Sequence, residues 1–583
     1  LKDLSSKADA TLKARVARLD SDVRADGKLT IETEDKLSAE NISAGGDAVL
    51  NAGDVFWARS VDAAGNADIK AGKRIVVARD LNVGGDLNAQ ANEDIAANNI
   101  MSKGKATLTA QTGEIRADGS VRSDAEAVLT AKDITIGGGI SAKRNAQLTA
   151  GENAMLGGTT DVGETLTAKV GRDLAANGTL QTGSDFNATV GNDFTLNDKL
   201  AAGQNLVANV GNDFTTNGAV TTGSDFTATV GNNVTTNNIV TTGGNLVMKV
   251  TNDLTAHAAV LSHGGATLDA QNVKLNADLT ADKNLTITAT KNIFTKTGTN
   301  LYTKSDGRLK AHDANLDGDV RADGTLTIET DDKLTAKNIT AGSAATLNAG
   351  TALTAHDINA GNDAVLNAGA DLTANDVTAG GSLSAKAKNI TANNVSVIGN
   401  TIITAGADFK VHDVTAGGDL TAKGQTITAE NIKSTGKTAL TATTDSITAK
   451  NLRAGGTLDA VAKTNLTVDT VTGKSKIALT AQTGNLKATG AVHTDTDAVL
   501  TAGKDVTLGG AFSAKQNVSL TAGQNATLND KTDVGGTLTA NVGRDLVTNG
   551  AVTTGQNFVA TVGNNLTTNE TVTAGSDFTA NVG

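Results

Sequence analysis

The chain has 583 residues, no proline, no cysteine, 2% aromatics and a net charge of −12. These values exclude a disulfide framework and thiolate chemistry, and they argue against a nucleic-acid-binding surface. No apolar run reaches the roughly 20 residues of a membrane helix.

The sequence opens on Leu1-Lys2-Asp3-Leu4, without an initiator Met or a signal peptide, and reads as an excised segment. Residues 7–53 return, with changes, as residues 304–350. Residues 105–183 return in the same way as residues 476–555. From residue 163 a glycine recurs every twenty positions, at Gly163, Gly183, Gly203, Gly223 and Gly243, with a second register at Gly171, Gly191, Gly211 and Gly231. Self-similarity at so short a period is the mark of a solenoid, which grows by adding repeats rather than by enlarging one core. Further along, Leu353-Thr354-Ala355-His356-Asp357-Ile358 returns as Leu372-Thr373-Ala374-Asn375-Asp376-Val377, a step of nineteen. One residue more or less at a corner is thus tolerated. No domain boundary emerges, and the sequence reads as one continuous repeat segment, 1–583.

Within the coil 223–242, Phe226, Ala228 and Val230 alternate with Asp225, Thr227 and Thr229, the period of a strand with one buried face. A second short strand is expected around Val234 and a third at Ile239-Val240-Thr241-Thr242, with Gly and Asn corners chosen for their tolerance of positive φ. Files at a spacing of twenty are apolar: Leu166, Phe186, Leu206, Phe226 and Leu246; Val170 to Val250; Leu174 to Leu254; Leu180 to Val260. A fifth file, Asn177, Asn197, Asn217 and Asn237, predicts an amide ladder that satisfies polar groups at a buried corner. The expected fold is all-β, a parallel β-helix of about 29 coils of 19–20 residues with three short strands each. Its core should be narrow and aliphatic. Proline is missing because it lacks the donor that a strand paired above and below must give.

Phrases such as Ala416-Gly417-Gly418-Asp419-Leu420-Thr421-Ala422, Gly203-Gln204-Asn205-Leu206-Val207-Ala208-Asn209 and Asn389-Ile390-Thr391-Ala392 resemble the repeats of filamentous haemagglutinins, and the resemblance runs over essentially the whole chain. It implies a right-handed parallel β-helix exported by two-partner secretion through an outer-membrane transporter to the surface of Gram-negative bacteria. The implied function is the structural stalk of a secreted adhesin that meets a receptor or glycan on a host or bacterial surface. The alternative is the filament of a contact-dependent growth inhibition toxin. The secretion domain, the Val-Glu-Asn-Asn pretoxin signature and an Arg-Gly-Asp triplet are not found, so only the shaft of such a protein is matched.

Against this background no catalytic, cofactor or metal position stands out, and the chain reads as a non-enzyme. Of the six histidines, His257 falls in the asparagine file and His356 aligns with Asn375, as substitutions at a repeated corner. His356-Asp357 and His412-Asp413 lack a tight ligand spacing. A polysaccharide lyase, the enzymatic rival, needs loops that build a groove around a base, and loop insertions are scarce. Gly137-Gly138-Gly139 lacks the Gly-Lys-Ser/Thr of a phosphate loop. Two stretches break the pattern with aromatic and basic residues together, 54–79 and 291–310. They supply the candidate ligand contacts Trp57, Arg59, Phe294, Tyr302 and Arg308. The plainer reading is a distorted coil with Trp57 or Tyr302 in its core.

Overall fold

The computed structural model describes residues 4–583; the Leu1-Lys2-Asp3 opening lies outside the described residues. These residues form 74 β-strands and no helix. They group into two compact units, Leu1–Thr303 and Lys304–Gly583. The second unit starts where the copy of residues 7–53 begins.

In each unit the chain winds as a right-handed parallel β-helix, and the two units together make about 29 turns. Every strand pairs in parallel with its equivalent one coil away. The coil 223–242 shows why these residues coil. Its strands are Phe226–Val230, Val234–Thr236 and Val240–Thr242, and each buries its alternate side chains while the intervening ones face out. Leu206, Phe226 and Leu246 stack in register, as do Val210, Val230 and Val250. The other two apolar files of the sequence stack likewise, Phe214 on Val234 and Val220 on Val240. Ile239, expected at the head of the third strand, is instead an exposed corner residue.

The three-strand coil is not universal. In the first unit the second and third strands are separate at Ala17–Leu19 and Val23–Ala25, fused in Leu37–Ala44, Val55–Ala63, Arg74–Val83 and Ile95–Ser102, and separate again from Glu114–Ala117 and Val121–Ser123 to Asp253–Ala256 and Val260–Ser262. In the second unit they are fused from Asp313–Ala322 to Leu466–Gly473 and separate thereafter. Where Ala336 and Ile339 are bridged only by Lys337 and Asn338, both outward, extended backbone runs straight through the corner. Where three residues intervene, the ladder is interrupted at 237–239 but continues through a register shift at 78–80 and 317–319.

Two expectations fail in instructive ways. The core is not purely aliphatic: of ten phenylalanines, Phe56, Phe186, Phe194, Phe214, Phe226, Phe409, Phe512 and Phe558 are its largest buried side chains. Phe194 and Phe214 stack with centroids 5.0 Å apart, and Phe186 and Phe226 meet them edge-on at 6.0 and 6.3 Å. Nor do the corner glycines adopt positive φ. Among the described residues only Gly139 and Gly298 do so, and no other residue type does. The recurring glycine is set by space instead: a Cβ on Gly231 would lie 2.0 Å from the carbonyl oxygen of Gly211, directly beneath it.

Candidate functional site

Most polar side chains at the corners bind the next coil. Ahead of the long strand, the side-chain oxygen of Asp185 accepts from the backbone N–H of Asn205 (3.0 Å), Asn205 from Asp225 (3.1 Å), Asp225 from Asn245 (2.7 Å) and Asn245 from Gly265 (2.9 Å). The second unit repeats this device, with Asp363 accepting from Ser382 at 2.7 Å and Asp419 from Lys437 at 2.8 Å. Ahead of the second strand Asp193, Asp213 and Asn233 do the same for Asp213, Asn233 and Asp253. A corner leaves strand donors without a ladder partner, and a short side-chain acceptor satisfies them. This accounts for the Asp of Ala416-Gly417-Gly418-Asp419 and for much of the chain's acidity.

The asparagine file forms the expected ladder: Asn197, Asn217 and Asn237 each donate to the amide oxygen of the preceding member at 2.7 Å. It is exposed, not buried, because the wide corner lifts it off the core. His257 continues it, its Nδ1 2.9 Å from the Asn276 amide nitrogen.

Every carboxyl displaced from its ordinary pKa among the described residues is pushed down. Asp198 is lowered by the Lys199 N–H and the Thr179 hydroxyl, Asp306 by the backbone and hydroxyl of Thr325, and Glu430 by Lys450. An acid that protonates a leaving group near neutrality requires the opposite displacement.

Trp57 is not in the core. Phe56 and Ala58 are buried, while Trp57 lies half-buried on the outer face between Ser38 and Val76 of the adjacent coils. Arg59 stands at the next corner, 3.7 Å from Glu40. Tyr302 is also half-buried and outward, between core residues Leu301 and Thr303. Phe294, 38% exposed, occupies the file of Trp57. That file runs through Val76, Ala96, Arg116, Thr135 and Met155 and reaches Thr255, Lys274 and Phe294. The two aromatics stand twelve coils apart, so they make no common platform. Tyr302 belongs to the third-strand face, beyond Thr280 and Leu261. Arg308 lies on the long-strand face of the second unit, paired with Glu329 at 3.1 Å. Within the first unit Trp57 and Phe294 therefore share a face twelve coils apart, while Tyr302 lies on another.

Histidines occupy corners and faces rather than one pocket. His356 and His412 sit on one corner file, with His356 3.0 Å from Asp357, and His412 3.1 Å from Asp413 and 3.3 Å from Glu430 of the next coil. His263 pairs with Asp282 and His493 with Ser513. One grouping is closer: ligand atoms of His312, Asp313 and Asp332 all lie within 4.8 Å of one another. The sequence pairs His312 with Asp313 but gives no sign of Asp332, which the nineteen- to twenty-residue coil brings alongside. In the same unit a shallow groove runs along the coils past Thr335, Thr354 and Thr373, rimmed by Lys337, His356 and Asn375.

No protein-family model, curated protein or solved structure matches this chain.

Proposed function

We propose that the chain is a mechanical shaft, the stalk of an exported, surface-exposed adhesin-like protein that holds a binding domain away from the cell. The observation that carries this reading is the direction of the polar contacts. Aspartate and asparagine side chains at the corners accept backbone donors of the next coil, so each repeat holds its neighbour. Solenoids of this kind draw stability from repeats and nearest-neighbour interfaces and can be lengthened without redesign, which suits a spacer. The resemblance to filamentous haemagglutinin repeats supplies the rest: export through an outer-membrane transporter, display outside the cell, and a receptor or glycan met by another part of the protein.

The test is where the chain resides and what it does there. Antibodies against the segment should label intact producing cells, and brief protease treatment of those cells should remove the signal. Antigen confined to the cell interior would end the reading. Release of unsaturated sugars from acidic polysaccharides by the purified chain would replace it with a lyase.

A further inference from the structure

The grouping of His312, Asp313 and Asp332 brings one ligand atom from each side chain within 4.8 Å of the others. His312 and Asp313 follow the strand Gly307–Ala311, and Asp332 occupies the same corner one coil on. The coils are locked there by the backbone, since the Asp332 N–H donates to the His312 carbonyl at 2.8 Å. Each carboxylate is oriented through one oxygen: Asp313 Oδ1 accepts the Lys333 N–H at 3.0 Å, and Asp332 Oδ1 accepts the Thr351 hydroxyl. The other oxygen of Asp313 meets His312 Nδ1 at 3.0 Å. Hydrogen bonds that orient ligating groups through their second atom are what a metal site requires of its surroundings.

The first unit holds a control for this corner. In the copy at residues 7–53 the equivalents of His312, Asp313 and Asp332 are Arg15, Val16 and Asp35. There Arg15 lies 3.9 Å from Asp35, and Val16 is 52% exposed. The retained aspartate faces a permanent cation in one copy. In the other it faces an imidazole and a second carboxylate, a donor set of one nitrogen and two anionic oxygens.

We propose that His312, Asp313 and Asp332 bind one divalent transition-metal ion, which clamps two successive coils of the second unit. Imidazole and carboxylate together suit zinc and its neighbours in the transition series, and water would complete the coordination at this exposed corner. Binding displaces the proton between His312 and Asp313, so protons and metal compete.

The experiment is zinc titration of the full chain by calorimetry at pH 7.5, with cobalt absorption as a second readout. The informative variant carries His312→Arg and Asp313→Val together, the pair that the same corner already accommodates in the first unit. It should fold as the parent does and bind one equivalent fewer, while His356→Ala should bind as the parent does. An unchanged stoichiometry in the double variant, or no zinc binding by the parent below millimolar concentration, would overturn the proposal.

Discussion

The separate-strand coils of the first unit, from Leu166–Val170 to Val260–Ser262, and the fused-strand coils of the second, from Leu334–Ala341 to Leu466–Gly473, are two solutions to one corner. With three residues there, the coil has an asparagine ladder outside and stacked phenylalanines inside. With two, it has one continuous strand and a corner file of mixed charge, including Lys337, His356, His412 and Glu430. The core register is unaffected, because inward alternation resumes at Val240 in one case and at Ile339 in the other. The corner therefore carries the variation while the apolar files set the fold.

The largest effect should come from breaking the register. Removing residues 203–222 deletes one whole coil and rejoins Ala202 to Gly223, a junction equivalent to the original. Removing residues 203–212 sets a long strand's worth of side chains against the wrong file. A slip of this kind buries polar side chains at several kcal/mol each. The whole-coil deletion should keep its β-sheet circular dichroism and protease resistance, and the half-coil deletion should lose both. Equal behaviour would show that the coil is not the unit of stability.

A smaller effect separates the two regions at a single glycine. A Cβ on Gly211 would lie 2.1 Å from the Gly191 carbonyl oxygen, whereas on Gly406 the nearest atom, the Cα of Lys388, is 3.5 Å away. Gly211→Ala should therefore cost about 1–3 kcal/mol through overpacking, and Gly406→Ala should be close to neutral. Hydrogen exchange at flanking strands is the suitable measure, because a solenoid can open locally. Loss of protection of similar size in both variants would mean that glycine serves flexibility and not close approach.

These contrasts mark what the sequence could and could not disclose. The apolar files were legible because stacking places like residues at a fixed spacing, and Leu206, Phe226 and Leu246 follow it directly. The corners were misjudged because glycine is used both for unusual φ and for lack of room, and sequence cannot separate the two. The contact of His312 and Asp313 with Asp332 was not legible, since it depends on a coil length that varies between neighbours. Trp57 was misplaced because its bulk suggested burial. Strand alternation sets its direction, and Phe56 already holds the inward position.

The smallest effect concerns Thr216 and Thr236, stacked on the inner side of the second strand in the separate-strand block. Both are fully buried, and neither hydroxyl has a hydrogen-bond partner. The equivalent inward positions in the fused block are Ala355 and Ala374, with no polar atom to satisfy. A buried hydroxyl without a partner keeps its desolvation penalty and gains nothing in return. Valine has the same branching and suits an extended strand. Thr236→Val should therefore stabilise the block by about 1 kcal/mol, read as a higher denaturant midpoint with an unchanged slope. Thr235→Val, one residue along and facing outward, should change little. If Thr236→Val destabilises, its hydroxyl has a partner, and the corner above it is more hydrated than the stacked files imply.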